Sequence, residues 1–199
     1  MFVSETLKLK KCKITSPELY CDLSNISIEI GLGRERKTVV NLFYQEWTSG
    51  VTGDSSTAAT EDRLKRQINY WKNLHNNYKD IVLMGDQNLC ALTWNDDNFS
   101  PQLKPLANLV NEFIIEENHS QIVKTYTRSE SYNGTISRSC VDHVMTDAPN
   151  KCTEPLVING GDSDHLAVIF TKYSKNLLLY PLLRSAHIKT SRKKSFLMI

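Results

Sequence analysis

EDRLKRQINYWKNLHNNYKDIVLMGDQN, residues 61–88, is the stretch that decides the fold of this sequence. Leu64, Ile68, Trp71, Leu74 and Tyr78 recur at the three- and four-residue spacing of one helix face, which predicts an amphipathic helix over residues 61–78. Glu61 and Asp62 stand where the positive end of the helix dipole favours them. Residues 80–84 (DIVLM) then read as a short apolar strand, and a helix feeding a buried strand is the signature of an α/β fold. Gly85-Asp86-Gln87-Asn88 follows at once, so Asp86 and Asn88 sit at the C-terminal end of that strand. A carboxylate and an amide two residues apart can face one pocket as acid/base and hydrogen-bond donor. The same tetrapeptide also suits a plain turn after a strand.

Upstream, residues 1–9 and 26–30 carry strand-like patterns, and Lys37 to Tyr44 (KTVVNLFY) reads as a buried strand bounded by charge and a loop. Residues 48–60, rich in Ser, Thr and Gly, are expected to form a loop. Downstream, Ser100-Pro101 offers a cap and a first-turn proline to a second helix. Leu106, Leu109, Val110, Phe113 and Ile114 mark its apolar face, and it ends near Glu117. Strands are expected at 140–145, 155–158 and 166–170, separated by turns at Asn133-Gly134, Ala148-Pro149-Asn150 and Gly160-Gly161. From Tyr173 the pattern degrades, ending in a Ser-Arg-Lys-Lys run at 191–194. That segment reads as a solvated or loosely docked tail, with a nuclear-localisation or nucleic-acid role as the alternative.

At 199 residues and 40% hydrophobic the chain has the length of one domain with a substantial core. No 18-residue apolar run and no secretory leader is visible, so an intracellular protein, nuclear or cytoplasmic, is expected, without a membrane partner. Cys12, Cys21, Cys90, Cys140 and Cys152 form a scattered set without a Cys-x-x-Cys pair and read as reduced thiols. The net charge of +2 is uneven. Seven of the 24 Lys and Arg lie at or after Lys172, so residues 1–171 keep 17 against 22 acidic residues, a net of −5. A body of that sign is not built for tight sequence-independent binding to a phosphate backbone, although a local groove can still be basic.

Gly161-Asp162-Ser163-Asp164-His165 supplies carboxylates and an imidazole just before a strand, although a polar turn with a hydrogen-bonded histidine has the same wording. Asp142 lies within an apolar strand, where an ionised carboxylate needs a partner. The imidazole of His165 is the expected partner, oriented by the carboxylate as in other His-dependent hydrolases. His143 points to the opposite face of a regular strand and reads as a packing or surface residue.

Five motifs in order carry a resemblance. Phe43-Tyr44 at a strand end, Gly85-Asp86-Gln87-Asn88, Thr125-Tyr126-Thr127-Arg128, residues 138–144 (RSCVDHV) and Ser163-Asp164-His165 have the order and spacing of the endonuclease/exonuclease/phosphatase superfamily. In wording they look closest to the endonuclease domains of non-LTR, LINE-type retrotransposons. The resemblance covers residues 1–172, taken as a partial domain, with 173–199 as a basic, poorly ordered tail.

The resemblance implies a four-layer α/β/β/α sandwich, two packed mixed sheets flanked by helices, lacking its first strands and helix. It implies a Mg²⁺-dependent DNA-nicking phosphodiester hydrolase, with Mn²⁺ as a substitute, DNA as substrate and a reverse transcriptase domain in the parent element. Asp86 would position or deprotonate water or protonate the leaving oxygen, Asn88 and Tyr44 would contact the phosphate, and His165, oriented by Asp142, would act at the phosphoryl centre. Thr127 would position neighbouring groups, Arg128 and Ser163 would lie along the substrate, and Asp164 near the metal.

The family carries an Asn on its first strand and a metal-binding Glu on its second, both upstream of the segment that residues 2–8 resemble. Glu5 falls after that position, and Glu46 is the nearest substitute ligand. Gln87 stands where the family has an aromatic residue, and the tail is unlike the linker to a reverse transcriptase. An inactive remnant or interaction module of the same fold is the alternative reading, with a phosphatase or sphingomyelinase-type phosphoesterase behind it.

Overall fold

The computed structural model describes residues 9–11, 24–31, 37–46, 56–90, 99–159, 161, 163–173 and 196–198. In chain order the elements are β1 (Leu9–Lys11), β2 (Ser24–Gly31), β3 (Lys37–Tyr44), α1 (Thr57–Asn77), β4 (Ile81–Asp86), α2 (Lys104–Glu116), β5 (Ser120–Gln121), β6 (Arg128–Tyr132), β7 (Thr135–Ser139), β8 (Asp142–Thr146), β9 (Leu156–Ile158), β10 (Ala167–Lys172) and β11 (Phe196–Met198). Of the expected strand over residues 1–9 only Leu9 is described, and the 191–194 run lies outside the described residues.

A six-stranded mixed sheet, in the order β1-β2-β3-β4-β8-β5, forms the body. Only β3 and β4 run parallel in it, joined by the α1 crossover. A three-stranded sheet, β11-β10-β9, packs on one face, and β6-β7 is a separate hairpin. The period-2 alternation of β4 explains this layering. Ile81 and Leu83 face one way into a core with Leu64, Ile68 and Trp71 of α1 and Val110 and Phe113 of α2. Val82 and Met84 face the other way, into a core with Val144, Val168 and Phe170 between the two sheets. The fold is therefore α/β, with helices, a mixed sheet and a second sheet in successive layers.

The helix starts differ from expectation. Helix α1 begins at Thr57, inside the expected loop, because Ser56 caps it: Ala59 N–H donates to Ser56 Oγ at 3.2 Å. Ala58 and Ala59 then extend the helix well. Glu61 and Asp62 consequently lie beyond the first turn and pair along the helix with Lys65 and Arg66. Ser100 instead opens a turn, its carbonyl accepting from Leu103 and Lys104 N–H, and α2 starts at Lys104 with Pro105 in its first turn. The Asn133-Gly134 turn joins β6 to β7 with φ of 49° and 78°, the left-handed pair that a two-residue hairpin needs.

No helix among the described residues is long and apolar enough to cross a membrane. Cys90, Cys140 and Cys152 are free thiols.

Candidate active site

The site begins with how closely two parallel strands approach. Phe43 of β3 lies beside Gly85 of β4, and a Cβ added to Gly85 would stand 1.8 Å from the Phe43 carbonyl oxygen. Only glycine fits there. The next residue, Asp86, is thereby set beside Tyr44, the half-exposed last residue of β3. The chain then turns sharply at Asn88, whose φ of 52° is one that asparagine tolerates. Asn88 N–H donates to Asp86 Oδ1 at 2.7 Å, and its Nδ2 donates to the Gln45 carbonyl at 2.8 Å. Gln45 N–H donates to the Asp86 carbonyl, so Gln45, Asp86 and Asn88 form one hydrogen-bonded corner beside Tyr44.

Across the antiparallel ladder from Asp86 stands Asp142, the first residue of β8. Like charges directly opposite each other repel, and the structure supplies a counterpart. His165 Nδ1 donates to Asp142 Oδ2 at 3.0 Å, the tautomer that a carboxylate acceptor requires. Asp86, Asp142 and His165 each offer a ligand atom within 4.8 Å of the others. The donor set, two carboxylates and an imidazole at a half-buried rim, fits a divalent cation with a preference for hard oxygen ligands. Burial pushes the Asp86 carboxyl above the usual carboxylate range. The Asn88 amide opposes that shift and the Asp142 charge adds to it.

Thr127 is fully buried and ties the parts together. Its Oγ1 accepts from the N–H groups of Val141 and Asp142 at 3.1 and 3.0 Å, and its carbonyl accepts from Leu166 N–H at 2.7 Å. Ser163 Oγ accepts from His165 N–H at 3.1 Å, so this hydroxyl shapes the turn that delivers the imidazole. Arg128 Nε donates to Asp164 Oδ2 at 2.7 Å, and the guanidinium also meets Glu130. That bond holds the Asp164 carboxyl below the usual range. Asp164, expected near a metal, thus faces Arg128 and is not a member of the three-residue cluster. Nothing local in the sequence pairs residues 36 positions apart. Glu46, the substitute ligand, accepts from Ser24 Oγ at 3.2 Å and is outside the cluster as well.

His143 points away from Asp142 into the interior, with Nε2 at 3.0 Å from the Leu89 carbonyl and burial lowering its pKa to about 4. It is a packing residue. Beside the cluster, Leu42, Met84, Gly85, Asp142, Val144 and Val168 line a mostly apolar cavity of about 160 Å³ between the two sheets.

The sequence matches the family described as endonuclease-reverse transcriptase over residues 46–169, more than half of the chain and every residue of the cluster. The chain belongs to that family. No curated protein matches the sequence. Among solved structures, this endonuclease-reverse transcriptase family member is similar to the endonuclease domain of TRAS1, a telomere-specific non-LTR retrotransposon, at 14% identity and a TM-score of 0.60. The alignment covers 84% of this chain and 69% of that one. The catalytic domain of Xenopus laevis APE2 aligns at 12% identity and a TM-score of 0.55, covering 71% of this chain and 53% of that one. The 3′ phosphatase NExo from Neisseria, bound to a product DNA hairpin, aligns at 11% identity and a TM-score of 0.51, covering 71% and 62%. At these identities the likeness is one of fold, and the fold is that of the endonuclease/exonuclease/phosphatase superfamily. The chain spans less than two thirds of the length of the latter two structures.

Proposed function

We propose that this domain hydrolyses phosphodiester bonds in DNA, as a nicking endonuclease of the non-LTR retrotransposon type. The observation that carries the reading is the convergence of Asp86 from the end of β4, Asp142 from the start of β8 and His165 from the segment before β10, beside Asn88 and Tyr44. Desolvation leaves Asp86 more basic than an exposed carboxylate, which suits it to take a proton from water or return one to the leaving oxygen. Asp142 fixes the His165 ring through Nδ1, which leaves Nε2 to take a proton from water and, once protonated, to donate to a phosphoryl oxygen. Asn88 Nδ2 has a second hydrogen free of the Gln45 carbonyl, and with the Tyr44 hydroxyl it would bind the phosphate. Asp86 and Asp142 would hold a divalent cation, Mg²⁺ or Mn²⁺. When bound, such an ion neutralises charge developing on the phosphoryl oxygens.

A nicking assay on supercoiled plasmid with Mg²⁺ tests the reading. Nicking that disappears in Asp86→Ala supports it, and no nicking at high protein concentration refutes it. A second reading, a non-catalytic interaction module, draws on the cluster holding two carboxylates and no third among the described residues. The parent element's reverse transcriptase and an intracellular, nuclear setting belong to the same proposal. They rest on the family's description.

A further inference from the structure

His165 is held by its neighbours on both sides. Arg128 and His165 form an isolated antiparallel bridge, Ser129 N–H donates to the Asp164 carbonyl at 2.9 Å, and Leu166 N–H donates to the Thr127 carbonyl. The short 163–166 segment therefore lies as an added strand along the start of β6. These backbone bonds set the register of the segment along β6. One side-chain bond completes the attachment: the Arg128 Nε–H to Asp164 Oδ2, at 2.7 Å. An arginine fork held to a carboxylate is geometrically specific in a way that a lysine is not.

We propose that Arg128 is a positioning residue, and that its clasp on Asp164 fixes the 163–166 segment so that the His165 imidazole stays on Asp142. The inference rests on the phosphodiesterase reading and gives Arg128 and Asp164 a joint role. Arg128 does not serve the substrate directly, and Asp164 does not serve a metal. Glu130 occupies the remaining face of the guanidinium, so the cation is already matched by two carboxylates and has little charge left to offer a phosphate. The clasp thus adds a side-chain link to the backbone bonds that join the β6-β7 hairpin to the segment carrying the imidazole.

The test compares Arg128→Gln, Asp164→Asn and the double variant in the full chain. Each single variant is expected to lower kcat on the order of 10–100-fold, the scale of a misplaced catalytic group. KM should stay within about threefold, and the double variant should be no worse than either single one. Long-range ¹H–¹⁵N spectra of the imidazole supply a readout independent of turnover. His165 should be the Nδ1–H tautomer in the parent chain and a tautomer mixture in all three variants. Urea midpoints close to the parent's would exclude unfolding as the cause.

A raised KM at unchanged kcat in Arg128→Gln, with Asp164→Asn silent, would make Arg128 a substrate ligand and overturn the proposal. A loss confined to Asp164→Asn would make Asp164 a metal ligand and overturn it equally. Should the parent chain cut no DNA, the functional reading fails and the tautomer measurement alone still decides the clasp.

Discussion

Replacing Gly85 by alanine is expected to destabilise the fold and displace Asp86 together. The added methyl would lie 1.8 Å from the Phe43 carbonyl oxygen and 2.8 Å from its carbon, where distances under 3.0 Å are essentially never seen. These are backbone atoms in the centre of a sheet, so no side chain can swing aside, and β3 and β4 must part by at least about 1 Å. Parting weakens the ladder around the Phe43–Gly85 and Tyr44–Asp86 pairs, at roughly 1 kcal/mol for each hydrogen bond lost. Residual overpacking costs about 1–3 kcal/mol. A φ of 154° adds on the order of 1 kcal/mol for a residue with a side chain. The sum is roughly 3–6 kcal/mol, a large part of a typical domain's stability. Urea unfolding followed by circular dichroism should show the midpoint falling by about 2 M for an m-value near 2 kcal/mol/M. Gly134→Ala is the control, since its Cβ would meet nothing within 4 Å at a φ of 78°, and only the backbone penalty of about 1 kcal/mol remains. A Gly85→Ala protein within about 1 kcal/mol of the parent would refute the steric argument.

Two further outcomes are expected. Burial, reinforced by His75 and Lys172, lowers the His119 pKa from 6.5 to about 3, so between those values the unfolded chain takes up a proton that the folded chain refuses. Stability is intact above pH 6.5 and falls on acidification, by about 2 kcal/mol at pH 5 from this group. His119→Leu should flatten that slope, and an unchanged slope in urea titrations would contradict the assignment. Gln87 is fully buried, and its side-chain amide meets no hydrogen-bond partner among the described residues. Gln87→Met should therefore raise stability by about 1–2 kcal/mol, and a lower melting temperature would show that the amide is satisfied in solution.

Much of this could be read from residues. β3 and β4 were legible because their apolar runs are short, bounded and buried on both faces. The hairpin β6-β7 was not, since RSESY and TISRS have no apolar alternation, and Tyr132 and Ile136 stand in solvent at 78% and 62% exposure. Only its Asn-Gly turn carried a signal. The start of α1 was hidden because a serine cap and a Thr-Ala-Ala-Thr opening look like loop composition. In the site, the meeting of Asp86, Asp142 and His165 was foreshadowed by motif order, and the Asp142–His165 bond by the awkwardness of a carboxylate in an apolar strand. The Arg128–Asp164 clasp was invisible, because both side chains are unremarkable until the fold sets them side by side.

The placement of Asp86 opposite Asp142 has a consequence for handling the protein. Two anions held abreast at a half-dry edge make the compact state uneasy in plain buffer, and any small cation that lodges between them relieves it. Thermal midpoints for this chain will therefore depend on what the solution contains. A chelator, a polyamine or a millimolar divalent salt each acts as an adjustable variable of folding, at the same edge where chemistry would occur.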